Sequence, residues 1–221
     1  PLIDNLNDFA LSKGVTVDFI LGGHNDDCIN KADLIIVSPG VAVNKIPILR
    51  RAIEKKIPIQ YILKKWSFYE GEYLINENVL IPRPETEILV DYVVNKFRDR
   101  KTILDLGTGS GCIAIELSKK LQTAKITGID FSAKAIELAK KNNSQTENHV
   151  NFFTSNWFSN VNQKYDLIVS NPPYIPKNSN LDESLKFEPV IALYSENQGL
   201  ADLSKIITDS ISFLHEDGVL T

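Results

Sequence analysis

The sequence contains no methionine, three histidines and two cysteines. Cys28 and Cys112 cannot build a disulfide framework, and their separation lacks metal-ligand spacing. A reducing cytoplasm is therefore the expected setting. No apolar run is long enough to span a bilayer, and no signal peptide opens the chain. Neither sign of charge dominates: 24 Lys and Arg stand against 28 Asp and Glu, a net charge of −4. That balance gives no general attraction to nucleic acid or to an anionic membrane. Lys55-Lys56 and Lys64-Lys65 could form a local basic patch; a solvated face is the simpler account. Internal repeats and low-complexity tracts are also missing. The start at Pro1, the lack of methionine and the close on Val219-Leu220-Thr221, inside an apolar run, lead us to expect a fragment.

What is present suits a globular chain. The 43% hydrophobic content over 221 residues supports one good core and a small second unit. Residues 1–58 read as a small α/β piece, with a helix over 2–13, strands over 15–21 and 32–37, and a helix over 46–56. Residues 59–87 read as a connector. Within it, Trp66-Ser67-Phe68-Tyr69 and Glu72-Tyr73-Leu74-Ile75 form a hairpin through Glu70-Gly71. Pro82-Arg83-Pro84-Glu85-Thr86-Glu87 leads rigidly into a helix over 85–97, with proline and acids in its first turn. Its expected inward face is Ile88, Leu89, Tyr92, Val93 and Phe97. From 101 onward strands and helices alternate. Strands are expected at 102–106, 125–129, 150–153, 165–170 and 219–221, and helices at 112–121, 133–142 and 204–214. Such alternation implies a parallel sheet with right-handed crossovers and helices on both faces.

The most informative stretch is Asn171-Pro172-Pro173-Tyr174, directly after the strand at 165–170. Two prolines cannot continue a strand ladder, because neither has an N–H to donate. The motif therefore forms a rigid loop at the strand's carboxyl end, where open α/β sheets bind ligands. Asn171 offers an acceptor oxygen, the Pro172 carbonyl a second one, and Tyr174 an aromatic face. Two acceptors hold the two hydrogens of a planar –NH2 and leave one face open to attack. A proline-rich surface turn is the competing account.

A second constellation lies upstream. Asp105-Leu106-Gly107-Thr108-Gly109-Ser110-Gly111 ends one strand and opens a helix. Glycines permit a sharp turn and close backbone approach. The helix N-terminus offers unpaired N–H groups to an anionic ligand group. The spacing is G-x-G-x-G rather than the dinucleotide G-x-G-x-x-G. Asp130, at the end of the next strand, is placed to bind ribose hydroxyls or, equally, to cap the following helix. A nucleoside joined to a small carboxylate fits both groups. S-adenosylmethionine is such a ligand.

Taken together, residues 59–221 resemble the release-factor glutamine N5-methyltransferases. The likeness runs through Pro58-Ile59-Gln60-Tyr61-Ile62, the hairpin, Leu80-Ile81-Pro82-Arg83-Pro84-Glu85-Thr86-Glu87, the Asp105 to Gly111 loop and Asp130. It continues through Asn171-Pro172-Pro173-Tyr174-Ile175, Phe187-Glu188-Pro189, Ala192-Leu193 and Gly199-Leu200. The resemblance implies an α/β, Rossmann-like class I methyltransferase sheet over 88–221, truncated before its usual last two strands, with an open edge. It implies S-adenosylmethionine as cofactor, peptide chain release factors as partners, and methylation of the Gln amide in their Gly-Gly-Gln motif. By the same likeness Gly107, Thr108, Gly109, Ser110 and Gly111 line the methionine end and Asp130 takes the ribose. Trp157 lies by the adenine, although core packing explains that residue as well. Asn171 touches both cofactor and substrate, while Pro172, Pro173 and Tyr174 frame the amide. The chain departs from the family's pattern at Asn156, where an acid is usual. No catalytic histidine is expected, and His24, His149 and His215 are read as surface or cap residues.

Residues 1–58 resemble something else. Gly22-Gly23-His24 and Ala32-Asp33-Leu34-Ile35-Ile36-Val37-Ser38-Pro39-Gly40 are similar to part of the first domain of the muramoyl-alanine–glutamate ligases. The rest of such a ligase is missing, so ligase activity is not expected. The two likenesses together imply a fusion joined near Ile57-Pro58-Ile59. Two further readings stay open for the whole chain: an adenine N-methyltransferase acting on a flipped base, and a non-catalytic fragment that binds cofactor alone. Acidic net charge argues against the first of these.

Overall fold

Three strand-forming runs buried on both faces, over 102–106, 125–130 and 165–170, set the framework. The computed structural model describes residues 57–146, 149–179 and 183–221. The elements expected within 1–56 lie outside the described residues.

A short helix α1 (Ile59–Leu63) stops at Lys64, whose φ of 61° is left-handed. The hairpin follows as β1 (Lys65–Phe68) and β2 (Gly71–Leu74), with Trp66 opposite Tyr73 and Phe68 opposite Gly71. Its strands sit one residue earlier than the sequence suggests. Helix α2 (Pro84–Lys96) opens with Pro84 in its first turn, and Glu85 and Glu87 meet the positive end of its dipole. Its buried face is Val90, Val93 and Val94. Of the expected inward stripe, Val93 is fully buried and Leu89 and Phe97 pack partly buried against the core, whereas Ile88 and Tyr92, 69% and 48% exposed, are corrected to the outer face. The side turned to the core carries the three valines, which cluster with Ile113 and Leu117.

The central sheet takes β3 (Thr102–Leu106), helix α3 (Cys112–Lys120), β4 (Lys125–Asp130), helix α4 (Ala133–Asn143), β5 (Val150–Thr154) and β6 (Tyr165–Ser170). Beyond β6, β7 (Ile175–Pro176) pairs with β8 (Tyr194–Ser195), with helix α5 (Val190–Leu193) between them. Helix α6 (Ala201–Ser210) and a single 3-10 turn lead to β9 (Leu214–Leu220). The expected helix over 204–214 therefore starts and ends earlier, and the last strand is longer than expected.

Strand order is β5-β4-β3-β6-β9, with every pair parallel. The chain moves outward from β3 to β5, then crosses back to β6 on the other side of β3. That reversal is a topological switch point, where the loops after neighbouring strands diverge and leave a crevice. Register fixes which loops meet there. Leu106 of β3 lies opposite both Ile129 of β4 and Ser170 of β6. The segments that follow these residues therefore leave the sheet at one level. Along β3, Ile103 packs with α2, α3 and α4 on one face, while Leu104 and Leu106 pack with Phe158, Ile168 and Ile206 on the other.

The hairpin is tied to this layer by polar bonds. Tyr73 Oη donates to Glu116 Oε1 at 2.5 Å, and Lys119 Nζ lies 2.8 Å from the same oxygen. Asn142 of α4 accepts from Leu74 N–H at 2.8 Å and donates to the carbonyls of Leu74 and Ser110 at 3.0 and 2.9 Å. One buried amide thus links hairpin, α4 and the glycine loop.

Candidate active site

The glycine loop folds as it does because three of its residues take left-handed backbone. Gly107, Gly109 and Gly111 have φ of 76°, 54° and 83°. The Gly107 and Thr108 N–H groups both donate to Ile129 C=O, at 2.9 and 2.8 Å, clamping the loop to β4. Thr108 Oγ1 donates to Asp105 Oδ2 at 2.6 Å beneath the loop. Asp105 is fully buried, and its Oδ1 has no hydrogen-bond partner. Burial pushes its carboxyl up to about 7; the Thr108 hydroxyl and the nearby Ala114 N–H, which falls outside hydrogen-bond geometry, resist that rise.

Asp130 faces the loop from the end of β4. Its Oδ2 accepts from Gly109 N–H at 2.9 Å and its Oδ1 from Ser132 N–H at 2.8 Å. Burial raises its pKa, opposed by the N–H groups of Ser132, Gly109 and Phe131. Ser132, not Asp130, caps α4, accepting from Ala135 N–H at 3.2 Å. Each Asp130 oxygen still has a lone pair for a hydroxyl.

These residues line a cavity of about 280 Å³ that Asn171, Pro172 and Pro173 also line. Gly107, Thr108, Gly109, Ser110, Asp130 and Trp157 complete the expected set that meets there. A Cβ added at Gly109 would meet nothing within 4 Å, so the loop leaves an open cradle at that point. Two expected residues stand apart. At Gly111 an added Cβ would come within 3.0 Å of Ala139 Cβ and 3.1 Å of Phe152 Cζ. That glycine serves close packing of α3 on α4 and does not line the cavity. Tyr174 is 63% exposed and lines an adjoining cavity of about 440 Å³ that shares Arg83, Thr86, Asn171 and Pro172 with the first.

Trp157 is a non-glycine residue in left-handed backbone, φ 47°. Ser155 Oγ donates to its carbonyl at 2.6 Å, and its Nε1–H donates to Asp202 Oδ1 at 3.2 Å. Its ring lies over Gly107 and packs in part against the core beside Phe158. Backbone strain of this kind, about 1–3 kcal/mol, persists where surroundings over-determine it. Asp202 lines the cavity and was invisible as a site residue in the sequence, since nothing but its place after Gly199-Leu200 marks it. Phe131 lines the same cavity, 59% exposed.

The acceptor wall is braced from afar. Glu188, nearly fully buried, accepts from Arg83 Nη2 at 2.5 Å and from Ile81 N–H at 3.0 Å. Asn171 Nδ2 donates to Thr86 Oγ1 at 3.2 Å. Arg83, Thr86 and Glu188 stand out in the sequence through Pro82-to-Glu87 and Phe187-Glu188-Pro189, yet not as site residues. Among the described residues no His, Cys, Asp or Glu cluster could hold a metal ion. Likewise, no helix among them is long and apolar enough to cross a membrane.

A parallel sheet in this order, with a glycine turn and a proline loop flanking its switch point, defines a Rossmann-like, class I methyltransferase fold. A methyltransferase from Pyrococcus furiosus has a similar fold, with a TM-score of 0.53 over 81% of this chain and 77% of that one, at 16% identity. The methyltransferase small domain family matches residues 84–186, and the Mur ligase MurD-like N-terminal domain matches residues 2–60. The release factor glutamine methyltransferase of Flavobacterium psychrophilum is 38% identical, over 87% of this chain and 73% of its own length. That of Buchnera aphidicola subsp. Schizaphis graminum is 41% identical, over 78% of this chain and 64% of its own. The chain belongs to the release factor glutamine methyltransferase family. It spans between 38% and 64% of the length of several other curated relatives.

Proposed function

We propose that this chain catalyses S-adenosylmethionine-dependent N-methylation of the Gln side-chain amide in the Gly-Gly-Gln motif of peptide chain release factors. The carrying observation is that Gly109, Asp130 and Asn171 line one cavity. The cofactor would supply a methyl group on a sulfonium: as the nitrogen–carbon bond forms the carbon–sulfur bond breaks, the sulfur leaves as a neutral thioether, and one amide N–H proton passes to solvent. The loop of Gly107, Thr108, Gly109 and Ser110 holds the methionine end, with room at Gly109 for close approach. Asp130 accepts from ribose hydroxyls, and Trp157 flanks the adenine. Gly111 contributes indirectly, by seating the helix that carries the loop.

An amide nitrogen is a poor nucleophile, because its lone pair is delocalised into the carbonyl. Asn171 Oδ1 and the Pro172 carbonyl accept its two hydrogens and aim the lone pair; Pro173 stiffens the turn, and Tyr174 walls the approach. Orientation of this kind supplies roughly 7–11 kcal/mol in favourable cases. No histidine is assigned a role. This reading implies a cytoplasmic protein without a nucleic-acid substrate.

The test is transfer of radiolabelled methyl to a release factor, to its Gln→Ala variant, and to DNA and RNA. Label on the first alone is expected. Asn171→Ala should cut turnover about 100-fold, as loss of one transition-state contact does, while S-adenosylhomocysteine affinity by calorimetry stays within a few-fold. Label on nucleic acid would replace this reading with the adenine one. Cofactor binding without any transfer would select the non-catalytic one.

A further inference from the structure

A side-chain amide can present either end to a ligand, and what holds the other end decides which. Asn171 Nδ2 donates to Thr86 Oγ1 at 3.2 Å, across 85 residues of sequence. Thr86 stands in the first turn of α2, and both residues line both cavities. That turn is itself fixed. Pro84 opens it, and just before it Arg83 and Ile81 are anchored on the buried carboxylate of Glu188. Thr86 therefore belongs to an anchored segment, and in this geometry its hydroxyl oxygen accepts from the amide nitrogen.

We infer that Thr86 is a positioning residue: it pins Asn171 Nδ2 so that Oδ1 faces the acceptor, which makes the site selective for a group that donates hydrogens. This rests on the reading given under Proposed function and adds a specificity determinant to it. An –NH2 meets two acceptors, Oδ1 and the Pro172 carbonyl. A carboxylate in the same place meets two oxygens and no donor, and is rejected. A site built to pair one polar group discriminates strongly against its isostere, because its own buried groups are then left unpaired. Without the hydroxyl, Asn171 can turn its Nδ2 inward and accept the wrong group.

The experiment compares wild type, Thr86→Val and Thr86→Ser in the full chain. Calorimetry measures binding of two peptides with S-adenosylhomocysteine present: one carrying Gly-Gly-Gln, the other Gly-Gly-Glu. Wild type and Thr86→Ser should prefer the Gln peptide, and Thr86→Val should lose about tenfold of that preference, the size of one hydrogen bond. The kcat on a release factor should fall similarly in Thr86→Val with KM little changed, and recover in Thr86→Ser. The Asn171 side-chain amide resonances in a 1H–15N spectrum should move in Thr86→Val and stay in Thr86→Ser. Unmoved resonances, or an unchanged Gln preference in Thr86→Val, would overturn the inference. Absence of methyl transfer by wild type, with resonances that do move, would instead sink the catalytic reading and leave the pinned amide standing.

Discussion

At the scale of the residue, Gly109 and Gly111 look alike in sequence and differ in what a side chain would meet. Both need left-handed backbone, so alanine costs about 1–2 kcal/mol at either one. A Cβ at Gly109 would face open space, whereas one at Gly111 would come closer than van der Waals contact to Ala139 and Phe152, at 3.0 and 3.1 Å. Gly111→Ala should therefore lose roughly 2–4 kcal/mol of stability, strain plus overpacking. Gly109→Ala should lose the smaller sum and put a methyl where a ligand lies. Urea denaturation and calorimetry with S-adenosylhomocysteine separate the two: stability falls more in Gly111→Ala, affinity more in Gly109→Ala. Equal affinity losses in both would return Gly111 to the cavity. The G-x-G-x-G spacing identifies a loop but cannot divide its glycines between packing and binding. That division depends on Ala139, 28 positions away from Gly111 in the sequence. The same holds for Trp157, whose bond to Asp202 appears once α6 packs against the loop that follows β5.

At the scale of the element, strands and helices flanked by glycine, proline or a cap were legible, and faces were less so. The strands at 102–106 and 165–170 stand as expected, because each is a short apolar run closed by a turn signal. Helix α2 was legible in place and partly in rotation: Val93 is buried, and Leu89 and Phe97 pack against the core. Ile88 and Tyr92 are apolar yet exposed, while Val90, Val93 and Val94 are inside. Periodicity alone cannot choose between overlapping apolar stripes. What fixes α2 is its N-terminal anchorage, through Arg83 and Ile81 on Glu188. Glu188→Ala removes both bonds and leaves the Ile81 N–H without its acceptor. With Arg83 33% exposed and able to reach water, a loss of about 2–3 kcal/mol is expected. Glu188→Gln keeps one acceptor and should lose about half of that. Chemical denaturation measures both, and hydrogen exchange at Ile81 should accelerate in Glu188→Ala ahead of the sheet. Protection there equal to wild type would show that the anchor does not hold this segment.

At the scale of the whole molecule, the cavity sits over a buried acid, and folding is thereby linked to proton uptake. Asp105 is pushed up to about 7 by burial, against an ordinary 3.8 in the unfolded chain. A folded state that holds its proton more tightly than the unfolded one is most stable, on this account, below pH 3.8. Its advantage then drains away as pH rises, and levels off above about 7. Asp130 behaves in the same direction, but it is shared by any comparison of Asp105 variants. Asp105→Asn is neutral throughout, so its stability relative to wild type should climb from pH 4 to about pH 7 and then hold level. The span between 3.8 and about 7 corresponds to a gain on the order of 4 kcal/mol. Urea midpoints at intervals across that range measure it. Parallel curves for the two proteins would mean that Asp105 ionises as easily folded as unfolded. In that case the carboxylate under the glycine turn would be fully charged at neutral pH, and the Thr108 hydroxyl would donate to an anion there.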